Sequence, residues 1–308
     1  MKVIRELSQF PELSGAVVTS GTFDGVHVGH QKILSRLTEA ARQSNGQSVV
    51  LTYWPHPRTV LNPEDDSLRL LSTIEERIAA LEQLGVDYLL ILPFTKEFAQ
   101  LSSEEYIQQI ILDTLHTKKL VIGYDHRFGK NREGGFDYLQ QNAARYGLEV
   151  EEIPRQDIDE VGVSSSKIRT ALEKGEVATA ARYLGRPYSL SGTVVQGRQL
   201  GRTIGYPTAN VQVSEKLKLI PAQGVYAARV TTRQGEHKAM LSIGTNPTVN
   251  GTHQTIEVHL FDFNQDLYGQ EITIAFTAYL RPEAKFNSLE ELTQQLHLDQ
   301  QNALHLLG

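Results

Sequence analysis

Two histidines, His27 and His30, stand three apart in the run Gly21-Thr22-Phe23-Asp24-Gly25-Val26-His27-Val28-Gly29-His30. An apolar stretch at 16–18 precedes the run and reads as a first strand. After it, Ile33, Leu34, Leu37, Ala40 and Ala41 recur at helical spacing across 31–42. The histidines therefore occupy a strand-to-helix turn, and in an open α/β sheet ligands bind outside the carboxyl ends of the strands. Backbone N–H groups at a helix start, together with the helix dipole, favour an anion there. Glycines let a phosphate approach the backbone, and two imidazoles add donors aimed at one point. This chemistry suits attack on a phosphate, with the histidines stabilising the charge that develops.

Three further groups of residues could do chemistry. Val163-Ser164-Ser165-Ser166-Lys167-Ile168-Arg169 opens a helix expected to run to about Lys174, ahead of Gly175. Serines there ordinarily cap, but Arg169 lies one turn in, beside the exposed N–H groups, a combination that holds a polyphosphate. Gly123-Tyr124-Asp125-His126-Arg127-Phe128-Gly129-Lys130 follows a strand and by composition is a polar loop. Its Phe128 offers a ring for stacking, and Asp125 offers acceptors to a ribose or a ring edge. The densest set is Gly197-Arg198-Gln199-Leu200-Gly201-Arg202-Thr203-Ile204-Gly205-Tyr206-Pro207-Thr208-Ala209-Asn210. Gly197, Gly201 and Gly205 suit a loop that closes over phosphates, with Arg198 and Arg202 as nearby cations. Thr208 offers a hydroxyl to Mg²⁺, which takes few protein ligands, and Asn210 could orient the metal or a phosphate oxygen. No Gly-Lys-Ser/Thr follows, so this is not a Walker A loop.

These residues need elements to position them. Up to residue 184, apolar runs at 48–52, 88–92, 119–123 and 148–153 alternate with helical periods. Ser72 with Glu75, and Ser102 with Glu105, are spaced as capping boxes. Strands alternating with helices predict a doubly wound parallel sheet of Rossmann-like type. A helix over 177–184 should stop at Gly185, with Pro187 blocking its continuation. Beyond it, strand-like runs at 190–195, 225–231, 238–243, 256–263 and 272–280 predict a small antiparallel β-barrel. A hairpin turn is expected at 233–236 and a terminal helix from Ser288 and Glu291. In the last strand Ile272, Ile274, Phe276, Ala278 and Leu280 should share one face. The fold class is α/β with a second, all-β part, and the change of pattern divides the chain into domains 1–184 and 185–308.

Composition narrows the classes of function. A net charge of −6 leaves no basic excess to displace counterions from nucleic acid. With no cysteine, thiolate catalysis and cysteine-based zinc sites are excluded. No apolar run approaches membrane-spanning length, and the first ten residues carry Lys2, Arg5 and Glu6 without an apolar core. They do not read as a signal peptide, so a cytoplasmic location is expected.

Taken together and in order, the histidine run, the Ser-Ser-Ser-x-x-Arg element, the Gly-x-Asp-x-x-Phe-Gly loop and the 197–210 string resemble the bacterial bifunctional riboflavin kinase/FAD synthetases. The resemblance continues through Gly224-Val225-Tyr226, Ser242-Ile243-Gly244-Thr245-Asn246-Pro247-Thr248, Thr255-Ile256-Glu257-Val258-His259-Leu260 and Leu280-Arg281-Pro282-Glu283. It implies a first domain that joins FMN to the adenylyl group of ATP, releasing pyrophosphate, and a barrel that phosphorylates riboflavin. His27 and His30 would stabilise the first transition state, with Gly21, Phe23, Gly29, Ser165, Ser166 and Arg169 at the nucleotide. Asp125, Phe128 and Arg281 would serve the flavins. In the barrel, Gly197, Arg202, Gly205 and Asn210 would hold ATP, and Thr208 and Asn210 the Mg²⁺. Glu257, out of phase with Ile256, Val258 and Leu260, would ordinarily be a solvated strand residue; the resemblance makes it the general base. The implied partners are ATP, riboflavin and FMN, with no nucleic acid and no membrane, and a homo-oligomer is left open. Two alternatives remain at this stage. One is an adenylyl- or cytidylyltransferase for another acceptor with a regulatory flavin-binding barrel, and the other is a non-catalytic flavin carrier.

Overall fold

The structure is a computed structural model that describes residues 1–154, 162–197, 200–248 and 251–308. It divides into two compact units, Met1–Ser165 and Ser166–Gly308.

In the first unit six parallel strands form one sheet in the order β1-β4-β3-β2-β5-β6. They are β1 (Lys2–Ile4), β2 (Ala16–Ser20), β3 (Gln47–Trp54), β4 (Tyr88–Pro93), β5 (Thr117–Gly123) and β6 (Glu149–Ile153). All five residues of β2 are buried, as expected of a central parallel strand covered on both faces. Val17 faces one core with Leu34, Leu37, Leu81 and Leu89; Ala16 and Val18 face the other with Ile107, Ile111 and Leu120. The chain runs outward from β2 through β3 and β4, then returns to β5 on the other side of β2. Strand order reverses between β2 and β5, so the crevice at their carboxyl ends is where such a sheet takes its ligand.

Helices α1 (Val28–Gln43), α2 (Pro57–Leu61), α3 (Ile74–Gln83), α4 (Ser103–Tyr106) and α5 (Phe136–Tyr146) connect the strands. The capping box expected from Ser72 and Glu75 lies one residue later, at Thr73 and Glu76. Ser72 is unavailable because its hydroxyl accepts from Gly25 N–H and donates to the Asp24 carboxylate. The Ser102–Glu105 box forms as expected, but the helix it opens widens into a π-helix over Ile107–Leu112.

In the second unit, α6 (Ser165–Glu173) and α7 (Val177–Leu184) lead into β7 (Ser189–Val195), α8 (Leu200–Thr203), β8 (Ala209–Gln212), β9 (Gly224–Thr232), β10 (Gly235–Thr248), β11 (Gly251–Leu260), β12 (Glu271–Arg281) and α9 (Leu289–Leu307). The six strands close into an antiparallel barrel in the order β10-β11-β8-β7-β12-β9. Gly185, at φ 71°, terminates α7 in the left-handed conformation its lack of a Cβ permits. The four-residue β8 escapes sequence reading because it is shorter than one period of clear alternation. The single buried face expected of β12 is also corrected. Register shifts between Phe276 and Ala278, and between Tyr279 and Arg281, interrupt its pairing with β9. Ile272, Ile274 and Phe276 stay buried, whereas Ala278 and Leu280 pack against the cluster of Ala227, Met240 and Phe261 that Ala303 and Leu307 of α9 complete.

Helices α6 and α7 bury Ile168, Leu172, Val177, Ala180 and Leu184. Leu172 also accepts a 2.9 Å bond from Ala222 N–H, and a Cβ at Gly175 would come within 2.9 Å of the Tyr279 ring. A fragment from Ser164 to Gly308 should therefore melt several degrees above one that begins at Gly185, since burying apolar side chains contributes about 25 cal/mol per Å². Equal melting temperatures by circular dichroism would show that the two helices add nothing to the barrel's stability.

Candidate active sites

The turn between β2 and α1 is strained. Phe23 and Val26 have φ of 48° and 42°, a region that side chains rarely adopt, and Gly25 has φ 84°. Asp24, 1% exposed, fixes it. Its carboxylate accepts from Leu71 N–H at 3.0 Å, from Ser72 N–H at 3.0 Å and from the Ser72 hydroxyl at 3.2 Å. Its backbone carbonyl accepts from the Ser165 hydroxyl at 3.1 Å. Nearby, Thr22 C=O accepts from the Thr52 hydroxyl, and Gly21 N–H extends the β2–β3 pairing to Leu51 C=O.

His27 is the N-cap of α1. Its Nδ1 accepts from His30 N–H at 3.3 Å, which leaves the ring hydrogen of the neutral form on Nε2. The two imidazoles stack at 3.6 Å and 16°, and Phe23 meets His30 edge-on at 5.2 Å. Gly29 is buried in the first turn of α1. Burial, then the neighbouring His27 and Arg77, push the His30 pKa well below the ordinary value, so the ring is neutral. Its buried Nδ1 has no partner among the described residues.

Arg77 of α3 was not singled out by sequence. It is fully buried, bonded through Nη1 to the Thr52 hydroxyl at 3.2 Å, while its Nε and Nη2 are unpartnered among the described residues. A single arginine on an amphipathic helix gives no sequence signal of its own.

Across the switch point, the loop after β5 meets β2 through Ser20 Oγ and His126 Nε2, 3.2 Å apart. The topology thus brings together two segments a hundred residues apart. Burial, with Arg132 and Arg127 close by, pushes the His126 pKa down to about 4. Asp125 is exposed, as a ligand acceptor must be. Phe128 departs from the stacking expectation. It is 6% exposed, and its ring packs on Tyr106, His126 and Tyr138, so it shapes the loop from within the core. His56, in the Pro-rich turn after β3, simply caps α2. Ser166 and Arg169 lie in the second unit, Ser166 exposed and Arg169 half-buried in the first two turns of α6.

In the barrel, Glu257 of β11 pairs with Asn210 of β8, and its Oε2 accepts from the Thr208 hydroxyl at 3.2 Å. A Cβ at Gly197 would fall 2.0 Å from the Asn210 amide nitrogen, so a larger residue there would displace the Asn210 side chain. Gly205 takes φ 84° in the turn, and Arg202 is exposed on α8. Arg198 lies outside the described residues. Arg281, expected at the flavin, lies at the end of β12. It forms a bidentate pair with Asp299 of α9, which is 1% exposed, with the closest contact at 2.7 Å.

The donors fit a hard divalent cation. With its proton given to Glu257, the Thr208 oxygen keeps lone pairs for a metal, and the Asn210 amide oxygen is a second neutral donor. Among the described residues no group of three or more His, Asp or Glu forms a self-sufficient metal site. Such a cation would therefore depend on phosphate and water for most of its ligands.

His126 and His30 both resist protonation when folded but accept protons freely when unfolded. The first unit should accordingly lose stability as pH falls from 6.5 toward about 4. Urea midpoints across that window should fall less steeply for His126→Gln; an unchanged slope would assign the acid sensitivity elsewhere.

Comparison with known proteins finds two families along the chain. The FAD synthetase family model matches residues 9–167 and the riboflavin kinase family model residues 184–307. The bifunctional riboflavin kinase/FMN adenylyltransferase of Escherichia coli strain K12 is 39% identical over 313 residues, covering 100% of this chain and 98% of its own. The proteins of that description from Haemophilus influenzae and Bacillus subtilis are each 37% identical, covering 98% and 95% of this chain and 98% and 93% of their own. A crystal structure from Streptococcus pneumoniae, described as a macrolide-efflux protein, matches with TM-score 0.88 at 34% identity, over 97% of both chains. Among the described residues of this chain no helix is long and apolar enough to cross a membrane.

Proposed function

Because the chain belongs to the bifunctional riboflavin kinase/FMN adenylyltransferase family, we propose that its two groups of residues divide two ATP-dependent reactions between them. The chain converts riboflavin and ATP to FMN and ADP, and FMN and ATP to FAD and pyrophosphate. In the adenylyl transfer an FMN phosphate oxygen attacks the α-phosphorus of ATP, and the bond to the bridging oxygen of the leaving pyrophosphate breaks. No covalent enzyme intermediate and no general base is needed. His27 and His30 donate hydrogen bonds to the charge that develops on the α-phosphate. The observation that best supports this is the stacked imidazole pair at the N-terminus of α1, with the His27 hydrogen held on Nε2. Gly21, Phe23 and Gly29 shape the adenylyl pocket, while Ser165, Ser166 and Arg169 hold the leaving pyrophosphate. Asp125 faces the flavin.

In the kinase the riboflavin 5′-hydroxyl attacks the γ-phosphorus, its proton passes to Glu257, and ADP departs. Gly197, Arg202, Gly205 and Asn210 hold the nucleotide. Mg²⁺, held by Thr208 and Asn210, would neutralise charge on the phosphates. Arg281 acts at one remove, by fixing α9 through Asp299. The boundary at 184/185, a cytoplasmic location and the possibility of a homo-oligomer complete the proposal.

His27→Ala should slow FAD formation about 10²- to 10³-fold while FMN still accumulates from riboflavin. Glu257→Gln should do the reverse, abolishing FMN formation and sparing conversion of supplied FMN. Chromatography of the flavins made from riboflavin, ATP and Mg²⁺ reads both, and equal loss of the two activities in a folded variant would refute separate sites. Arg169→Ala should raise the KM for ATP in FAD synthesis far more than that for FMN. A selective effect on FMN would turn that arginine toward the flavin.

A further inference from the structure

The strand that carries Glu257 also carries His259, two residues on and hence on the same face. His259 is 9% exposed, and its Nδ1 lies 2.7 Å from the carbonyl oxygen of Pro207. A carbonyl only accepts, so Nδ1 carries the hydrogen and donates it. The ring is confined between Tyr206 and Phe261, with centroids 5.2 and 5.6 Å away.

The location of this bond gives it meaning. Strand β8 pairs with β11 through only two residue pairs, Asn210 with Glu257 and Ala209 with Val258. Thr208 lies one residue beyond the last pair, and Pro207 before it has no N–H to offer. Upstream the chain is folded on itself, with Ile204 and Tyr206 N–H both donating to Gly201 C=O. A Cβ at Gly201 would meet the Tyr206 carbonyl at 2.1 Å. Between that closed turn and the end of the ladder, two side-chain bonds tie the chain to β11: the Thr208 hydroxyl to Glu257, and His259 to the Pro207 carbonyl just before it.

We propose that His259 is a positioning residue of the riboflavin kinase: its side chain prolongs the β8–β11 ladder by one bond to Pro207 and so holds the Thr208 hydroxyl at Glu257. The proposal rests on the reading of Thr208 and Glu257 as kinase groups. His259 itself touches no reacting atom. Its loss lets Thr208 drift, and a misplacement of about 1 Å in such a site costs about 100-fold in rate.

The test uses the full chain. His259→Phe keeps a ring and removes the donor, whereas His259→Asn returns an amide nitrogen near the Nδ1 position. We expect His259→Phe to lower kinase kcat by about 10- to 100-fold with little change in the KM for riboflavin, and His259→Asn to recover most of the loss. FAD synthesis from supplied FMN, carried by the other unit, should be unchanged. The diagnostic is coupling. If His259 works by placing Thr208, the Thr208→Ala/His259→Phe double variant is no slower than Thr208→Ala alone. Additive losses, a His259→Phe enzyme with full kcat, or a His259→Asn enzyme as slow as the Phe variant would each overturn the proposal. Should His259→Phe unfold the barrel, His259→Gln, whose donor is displaced by a methylene, replaces it in the same cycle. Glu257→Gln separates the two levels. Full kinase activity in that variant overturns the reading of the site, whereas its loss alongside an unaffected His259→Phe overturns only the positioning role.

Discussion

The carboxylate of Asp24 accepts hydrogen bonds from Leu71 N–H, Ser72 N–H and the Ser72 hydroxyl, and the histidine turn depends on that anchorage. Positive φ at Phe23 and Val26 costs about 1–3 kcal/mol each. Hydrogen bonds to a charged group contribute about 1.5–3 kcal/mol apiece, so three of them are of the size needed to hold the turn. The anchor reaches the start of α3, which is why the capping duty there passes from Ser72 to Thr73. One turn further on, α3 supplies the buried Arg77, whose charge attracts Asp24 and adds to the burial and the neighbouring His27 that keep His30 from protonating.

The barrel solves the same problem with less material. Its Thr208–Glu257 pair sits where a four-residue strand meets a ten-residue one, so side chains finish what the ladder leaves undone. On the far side of the sheet order, the shifts in β12 let one strand serve two cores. Phe276 meets Tyr226 edge-on in the interior, and Ala278 lies against α9. The Arg281–Asp299 pair then locks that helix in place, and removal of Arg281 would strand the buried Asp299 charge at a cost of up to about 3–5 kcal/mol.

Much of this was legible from residue order. The sheet, the barrel, the start of α1 after the histidine turn and the end of α7 at Gly185 follow from apolar periodicity and from glycine chemistry. The interactions that sequence could not show share a physical trait: each joins partners distant in the chain. Asp24 lies 47 residues from Leu71, and Arg281 lies 18 from Asp299. His259 lies 52 from Pro207. Phe128 illustrates the complementary limit. An aromatic residue in a polar loop reads as available until the fold reveals Tyr106 and Tyr138 already against it.

The bond from His30 N–H to His27 Nδ1 gives the spacing of the two histidines a chemical content. The backbone amide at this position occupies one nitrogen of the first ring and leaves its hydrogen on the other, while the number of intervening residues determines that the second ring stacks on the first. Side chains at the two intermediate positions are open to exchange, within the limits of packing, but the count is not. An insertion or deletion there would still leave a backbone N–H to cap His27, but would turn the second imidazole about 100° around the helix and out of its stack with the first. Length, in this short segment, is itself a functional group.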